Sequence, residues 1–343
     1  MVQLEPARTK LRAVATATYG VVAIGRNEEP RLEACLKSIG AEAEAMVYVD
    51  SGSTDGSVAL AESLGAEVVQ LATDIPFTAA RARNAGFARL LEVAPDVEYV
   101  QFVDGDCSFA DGWLEAATEY LESHPEVTVV CGRRRERAPQ ASIFNQLCDV
   151  EWNTPVGEAR SCGGDALMRV AAVRAVGGYN EAVIAAEDDE LCVRLRQNGG
   201  RVVRLEHDMT WHDANMHTLK QWWRRAVRAG HGFAQGFAMH GAPPERHFAR
   251  ELRSALVQGL AFPAIAIGLL WPTRGLNLLV MAGFYLLQWG RVSLRLRRQG
   301  VPKRTARAYA LNCVAAKFAG AWGALTYYWR RWRRSGPRII EYK

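Results

Sequence analysis

Paired cysteines are missing from this chain. Its seven Cys are scattered over 343 residues with no close spacing between any two. That excludes a zinc site or a disulfide framework and reads as reduced, cytosolic thiols. There is no internal repeat and no low-complexity linker, so solenoids and tethered modules are excluded. No nucleic-acid-binding motif occurs, and the net charge is a modest +5. The basic surplus gathers instead in the C-terminal third, beside apolar segments, which argues for a membrane surface over nucleic acid. The opening MVQLEPARTK reads as a loose start with no signal peptide before the first strand. Near that start there is also no Gly-rich, Lys-containing loop of the kind that cradles a triphosphate.

What is present is most informative at VEYVQFVDGDCSF. An apolar run, Tyr99 to Val103, empties into Asp104-Gly105-Asp106. Its aromatic and β-branched residues predict a buried strand. Two carboxylates one residue apart at the C-terminal end of such a strand can converge on one hard cation. Oxygen ligands of this kind suit Mg²⁺ or Mn²⁺ shared with phosphate oxygens, and in open α/β sheets that end of the strands is where ligands bind. Asp-x-Asp at a strand end is also a common solvated turn.

The surrounding pattern agrees with an α/β sheet. YGVVAIGRNEEPRLEACLKSIG gives a short strand, Val21 to Ile24, then a polar turn, then Leu32, Leu36 and Ile39 at helical spacing. MVYVDSGSTDGSVALAESLG and AEVVQL with PFTAARARNAGFARLLEV repeat the strand–loop–helix unit. Strands alternating with helices predict a mostly parallel, Rossmann-like sheet covered on both faces. Asp50 and Asp55 also suit turn and helix-cap chemistry.

In order along the chain, VVAIGRNEE, VDSGSTDGS, ARNAGF, FVDGDC, CGGDALMRVAAVRAVGGYNE and AAEDDELCVRLRQNGG span about residues 19 to 225. This ordered set resembles the family 2 glycosyltransferases with the GT-A fold. The ending RIIEYK resembles the tail of some bacterial membrane-attached members. The resemblance implies an inverting hexosyltransferase that binds a nucleotide-sugar across the first half of the sheet. It makes Asp50 the base-binding carboxylate, which favours a UDP-sugar. Glu28 then lies near the nucleoside, and Arg83 and Asn84 near the nucleotide. Asp104 and Asp106 become the metal-holding pair on the diphosphate, with His212 as a further ligand and His217 as its competitor. Asp165, in Gly163-Gly164-Asp165, is placed near the donor sugar.

The acids at 187 to 190 open a helix closed by Gly199-Gly200, with Leu191, Val193 and Leu195 as apolar positions. Four acids at a helix N-terminus complement the dipole. Such crowding also raises the pKa of one carboxylate toward that of a general base. The resemblance places the base at Asp188, with Glu187 beside it orienting the acceptor; Asp189 leaves the register open by one residue. Arg133, Arg134, Arg135 and Arg137 could meet an acceptor phosphate or form a solvated basic strip.

Past residue 215 the composition changes. Gln221-Trp222-Trp223-Arg224-Arg225 resembles the Gln-x-x-Arg-Trp motif of processive polysaccharide synthases, with Arg225 in place of the last Trp. Gln221, Arg224 and Arg225 are therefore candidates for an acceptor or diphosphate clamp, and the same stretch suits an interfacial helix. Ser254 to Thr273 and Gly275 to Gly290 contain no charged residue, with Arg274 between them. They predict a transmembrane helical hairpin with a turn at Trp271 to Gly275. Flanking Arg250, Arg253, Arg291, Arg295, Arg297 and Arg298 put both of its ends in the cytoplasm. A buried soluble hairpin is the alternative. Ala308 to Trp329, ending in WRRWRR, reads as an interfacial helix on anionic lipid.

The expected organisation is a loose segment at 1–18, a GT-A catalytic domain at 19–230, and a helical membrane-associated region at 231–343. The expected function is transfer of a sugar to a lipid-linked or cell-surface glycan acceptor at the inner membrane, on the cytoplasmic side, with Mg²⁺ or Mn²⁺. Two alternatives remain: a processive or short-chain polysaccharide synthase, and a non-catalytic nucleotide-sugar-binding partner of another membrane enzyme.

Overall fold

The computed structural model describes residues 18–333, so most of the expected loose N-terminal segment and the ending RIIEYK lie outside the described residues. The first half of the chain builds β1 (Tyr19–Gly25), β2 (Ala45–Asp50), β3 (Glu67–Gln70) and β4 (Tyr99–Asp104). Between them run α1 (Glu29–Lys37), α2 (Ser57–Ser63) and α3 (Ala79–Val93). β1 pairs in parallel with β2 and β4, so Val22 faces Val47 on one side and Phe102 on the other. All three side chains are fully buried, as expected for strands covered on both faces. Leu32, Leu36 and Ile39 are buried as their spacing requires. The helix α3 lies close on the sheet because Gly86 faces it: a Cβ there would come within 2.3 Å of Val22 Cγ1.

The second half departs from the mostly parallel expectation. It contains β5 (Cys107–Phe109), α4 (Trp113–Ser123), β6 (Val127–Glu136), α5 (Ile143–Glu151), β7 (Gly157–Ala159) and β8 (Ala166–Arg169). After these come α6 (Val170–Ala175), α7 (Glu187–Gln197) and β9 (Arg201–His212). The sheet order is β3-β2-β1-β4-β8-β6-β9-β5, with β7 also on β9. β8 runs antiparallel to both β4 and β6, and β5 and β7 run antiparallel to β9. The sheet is therefore mixed. β8 inserts between the two parallel blocks because Leu167 and Met168 are apolar on both faces and fully enclosed.

α8 (Leu219–His240) starts on a capping box between Thr218 and Gln221 and continues unbroken through residue 230. α9 (Ala249–Leu256), a π-helical turn (Val257–Ala261) and α10 (Phe262–Gly268) lead into a turn at residues 269–275. α11 (Leu276–Arg298) returns, and α12 (Lys303–Trp332) packs along α8. The hairpin thus exists with its turn where expected. Its expected role as a transmembrane element is corrected in one respect: among the described residues no helix is long and apolar enough to cross a membrane. α10 stops after seven residues at Gly268, and α11 carries Asn277, Gln288 and Arg291 within its length. The α8–α12 crossing depends on glycine, since a Cβ on Gly230 would lie 2.2 Å from the Gly320 carbonyl oxygen.

Candidate active site

A cavity of about 380 Å³ opens at the C-terminal ends of β1 and β4. It gathers Glu28, Arg83, Asp104, Asp106, Glu187, Asp188, His212 and Arg225, all expected from the sequence. Arg134, weighed from the sequence as part of a strip that could meet an acceptor phosphate or be solvated, joins them, as do Trp152 and Arg228, which had no assigned role. Asp50, Asn84, Asp165, Gln221 and Arg224 do not line it.

Arg83 is the hub. It is 2% exposed and donates to Glu187 Oε1 at 2.7 Å and to Asp104 Oδ1 at 2.9 Å, with Asp188 Oδ1 at 3.2 Å. Burial opposes its charge, but Asp188, Asp104 and Glu187 around it hold the guanidinium firmly protonated. One side chain from α3 thereby ties the end of β4 to the start of α7, two elements far apart in sequence.

Asp106 is buried, and its Oδ1 lies 3.4 Å from His212 Nε2 at the end of β9. The His212 ring stands edge-on to Trp152, and its Nδ1 is buried without a hydrogen-bond partner. Burial, with Arg134 nearby, pushes its pKa down to about 4, so the imidazole is neutral and has a lone pair to give. Ligand atoms of Asp106, Cys107 and His212 lie within 4.8 Å of one another. Burial drives the Cys107 pKa well up, so that sulfur stays a thiol and the donor set is oxygen and imidazole. Such a set fits Mn²⁺ or Mg²⁺ with phosphate oxygens completing the shell. His217 is exposed, bonds Asn215, and lies outside the cavity.

The acids at the start of α7 separate cleanly. Glu187 and Asp188 face the cavity, whereas Asp189 does not line it and is influenced by Ser161 and Arg196. The Asp188 pKa is raised to about 8, by burial first and then by Glu187, Asp104 and Asp189, against the opposing pull of Arg83. Ala186, just before them, is held at φ 60°, a left-handed conformation that is costly for alanine. That turn aims the acids inward.

Four of the five expected site residues outside the cavity make hydrogen bonds within the fold. Asp165 is fully buried and saturated: it accepts from Arg134 Nε (3.0 Å), Thr210 Oγ1 (2.7 Å) and the Asp104 backbone N–H (3.2 Å). No oxygen remains for a sugar hydroxyl, and its contribution is to fix Arg134 and Asp104. Asn84 spends its amide on the Tyr179 backbone and Glu181. Gln221 caps α8, accepting from the Thr218 and His217 backbones. Arg224 points outward, while Arg225 reaches the cavity and forms a bidentate pair with Glu151 at 2.9 and 3.0 Å. Asp50 serves turn chemistry: Oδ2 accepts from the Gly52 and Ser53 N–H groups, while Oδ1 is buried without a hydrogen-bond partner. Asp55 is a cap, accepting from Ser57.

The arginine strip on β6 divides by strand alternation. Arg134 enters the cavity, lying over the Trp152 ring. Arg133 and Arg135 turn the other way, toward Asp149 and Asp208. Period two would have isolated Arg134, and helical spacing of three from Arg225 would have found Arg228.

Residues 21–161 match the family model described as glycosyl transferase family 2, and residues 148–218 match the model described as the N-terminal domain of galactosyltransferase. The succinoglycan biosynthesis protein ExoA of Rhizobium meliloti (strain 1021) is 26% identical over 275 residues, covering 75% of this chain and 80% of that protein. The mannosyltransferase PcManGT from Pyrobaculum calidifontis, solved with GDP-Man and Mn²⁺, is similar with a TM-score of 0.62. That match covers 91% of this chain and 88% of the other at 20% identity. Glucosyl-3-phosphoglycerate synthase from Mycobacterium tuberculosis, solved with Mn²⁺ and UDP-glucose, gives a TM-score of 0.48 at 17% identity, covering 67% and 81%.

Proposed function

Because this chain is a family 2 glycosyltransferase acting on a nucleotide-sugar, we propose that it is an inverting enzyme using Asp188 as its base on a membrane-borne glycan acceptor. The observation that carries this reading is the position of Asp188. Its carboxylate is buried, aimed into the cavity, and raised to about 8 by its surroundings, which suits proton abstraction near neutral pH.

The acceptor hydroxyl attacks the anomeric carbon and gives its proton to Asp188, while the bond from that carbon to the diphosphate oxygen breaks on the opposite face. A single displacement of this kind inverts the anomeric configuration. Arg83 holds Asp188 and Asp104 in register before the donor arrives. Arg134, Arg225 and Arg228 give the cavity cationic walls toward a diphosphate. Asp104, Asp106 and His212 would hold a divalent cation, which as a Lewis acid offsets charge on the leaving nucleoside diphosphate. The buried Oδ1 of Asp50, which has no hydrogen-bond partner, is the atom that would accept the imide N–H of uracil, which favours a UDP-sugar.

The membrane assignment rests on exposed apolar surface. Ile267, Trp271, Leu279, Val280, Leu286 and Leu287 on the hairpin are each more than 60% exposed, followed by Arg291, Arg295, Arg297 and Arg298 on α11. Together they suit a hairpin dipped into the bilayer and a basic collar on anionic headgroups of the inner membrane. A processive synthase is less well supported, since Gln221 is committed to its helix cap.

The test is turnover of UDP-, GDP- and dTDP-sugars by detergent-solubilised protein with Mn²⁺ or Mg²⁺, beside Asp104→Ala and Asp188→Asn. Metal-dependent turnover of one donor, lost in both variants, is the expected result. Full activity in Asp188→Asn would overturn the base assignment, and sole use of a GDP-sugar would overturn the uridine reading.

A further inference from the structure

A second cavity, of about 650 Å³, lies beyond the β6–β9 pair from the donor cavity. The C-terminal turn of α5 is the wall between them. Cys148 and Trp152 line the donor side, while Asp149 pairs with Arg133 and Asn153 lines the second cavity. Strand alternation does the same on β9, where His212 faces the donor and Trp211 the second cavity.

The floor of this second cavity contains a side chain that the fold does not satisfy. Arg204 is 4% exposed, and among the described residues its guanidinium forms no hydrogen bond or ion pair; its Nε is fully enclosed. The Nε atoms of Arg133 and Arg135 are likewise buried without a hydrogen bond, that of Arg135 lying 3.6 Å from Asp149 Oδ1. Among the described residues, only Asp149 and Asp208 stand against these three arginines as ion-pair partners. Burial pulls the Arg133 pKa down, and Arg135 and Arg204 add to the effect against Asp149. A buried cation with no partner costs folding energy and is retained where something binds it. Around it stand groups suited to hydroxyls: Asn153, His207 and three carboxylates, Asp111, Glu206 and Asp208, beside the indole of Trp211.

We propose that this second cavity is a saccharide subsite, in which Arg204 and Arg133 receive an oxyanion carried by a sugar residue and Trp211 supports its apolar face. The inference rests on the reading of the chain as a glycan-building transferase. It assigns the enzyme a preference for acceptors bearing a carboxylate or phosphate substituent.

Isothermal titration of the full chain in detergent tests this, with a glucuronate-containing trisaccharide, a neutral glucose trisaccharide and inorganic phosphate as probes. The glucuronate probe should bind the wild type, and at least about tenfold more weakly both Arg204→Met and Trp211→Ala, since a charge-assisted contact is lost in the first. The neutral probe should bind at least about tenfold more weakly than the charged one. Arg204→Met should melt at or above the wild-type temperature, because an uncompensated buried charge has been removed. No binding of the glucuronate probe, or equal affinity in Arg204→Met, overturns the proposal, and phosphate binding as tightly as the trisaccharide overturns its saccharide part. Donor hydrolysis is measured separately on the same samples. Its absence beside intact probe binding counts against the transferase mechanism alone, and the converse against this subsite alone.

Discussion

At the scale of single residues, two buried carboxylates carry opposite tasks. Asp188 titrates at about 8 in the folded chain against an ordinary 3.8. Its folded form holds the extra proton, so it favours the native state at low pH and that contribution is lost as pH climbs from about 4 to about 8. Asp188→Asn should therefore melt several degrees above the wild type at pH 8.5 and show no advantage at pH 4. The same substitution should lower kcat by roughly 10²–10⁴. The wild-type pH profile of kcat/KM should rise through a pKa near 8, the base being active only when ionised; a flat profile between pH 6 and 9 would exclude that role. Asp165 is structural. Asp165→Asn strips the charge that pairs with Arg134 and should cost about 3 kcal/mol, as broken buried pairs do. Denaturant unfolding would show it as a lowered midpoint.

At the scale of elements, the contact between α8 and α12 positions two cavity-facing arginines. Arg225 and Arg228 ride on α8, whose place is set by a backbone-to-backbone crossing. A methyl on Gly230 must push Gly320 away, whereas a methyl on Gly320 meets only Ala255 Cβ at 3.4 Å and Gly230 Cα at 4.0 Å. Gly230→Ala should cost about 1–3 kcal/mol by overpacking, with weakened binding of the donor. Gly320→Ala should be neutral or slightly stabilising, since alanine is the better helix former. Equal melting temperatures for the two variants would count against this account of the crossing.

At the scale of the whole molecule, the cavity lined by Arg83 and Asp188 sits at the C-terminal ends of β1 and β4, and the apolar hairpin belongs to the helical region that follows in the chain. Exposed leucine, isoleucine and tryptophan on α10, α11 and the turn between them form more apolar surface than a monomer ordinarily leaves in water. Replacing Ile267, Leu279 and Leu287 by Glu should abolish flotation of the protein with phosphatidylglycerol vesicles while leaving donor hydrolysis in detergent unchanged. High salt should weaken flotation of the unaltered chain only partly, because the basic collar is screened and the apolar insertion is not.

Local chemistry made much of this legible in advance. The strand–helix alternation of the first half, the Asp-x-Asp at the end of β4, the acids opening α7 and the turn at Trp271 to Gly275 all follow from periodicity, capping and carboxylate spacing, which act within a few residues. Tertiary structure decided the rest, because it turns on which groups meet across the sheet. Arg83 became the bridge between β4 and α7, and Asp165 was consumed by Arg134 and Thr210. Alternation along β6 sent Arg134 to one cavity and Arg133 to another. The hairpin's limits depended on where α10 stops, which composition alone did not determine. A sequence specifies the side chains and their local spacing; the role of a buried charge is set by the partner that reaches it from a distant part of the chain.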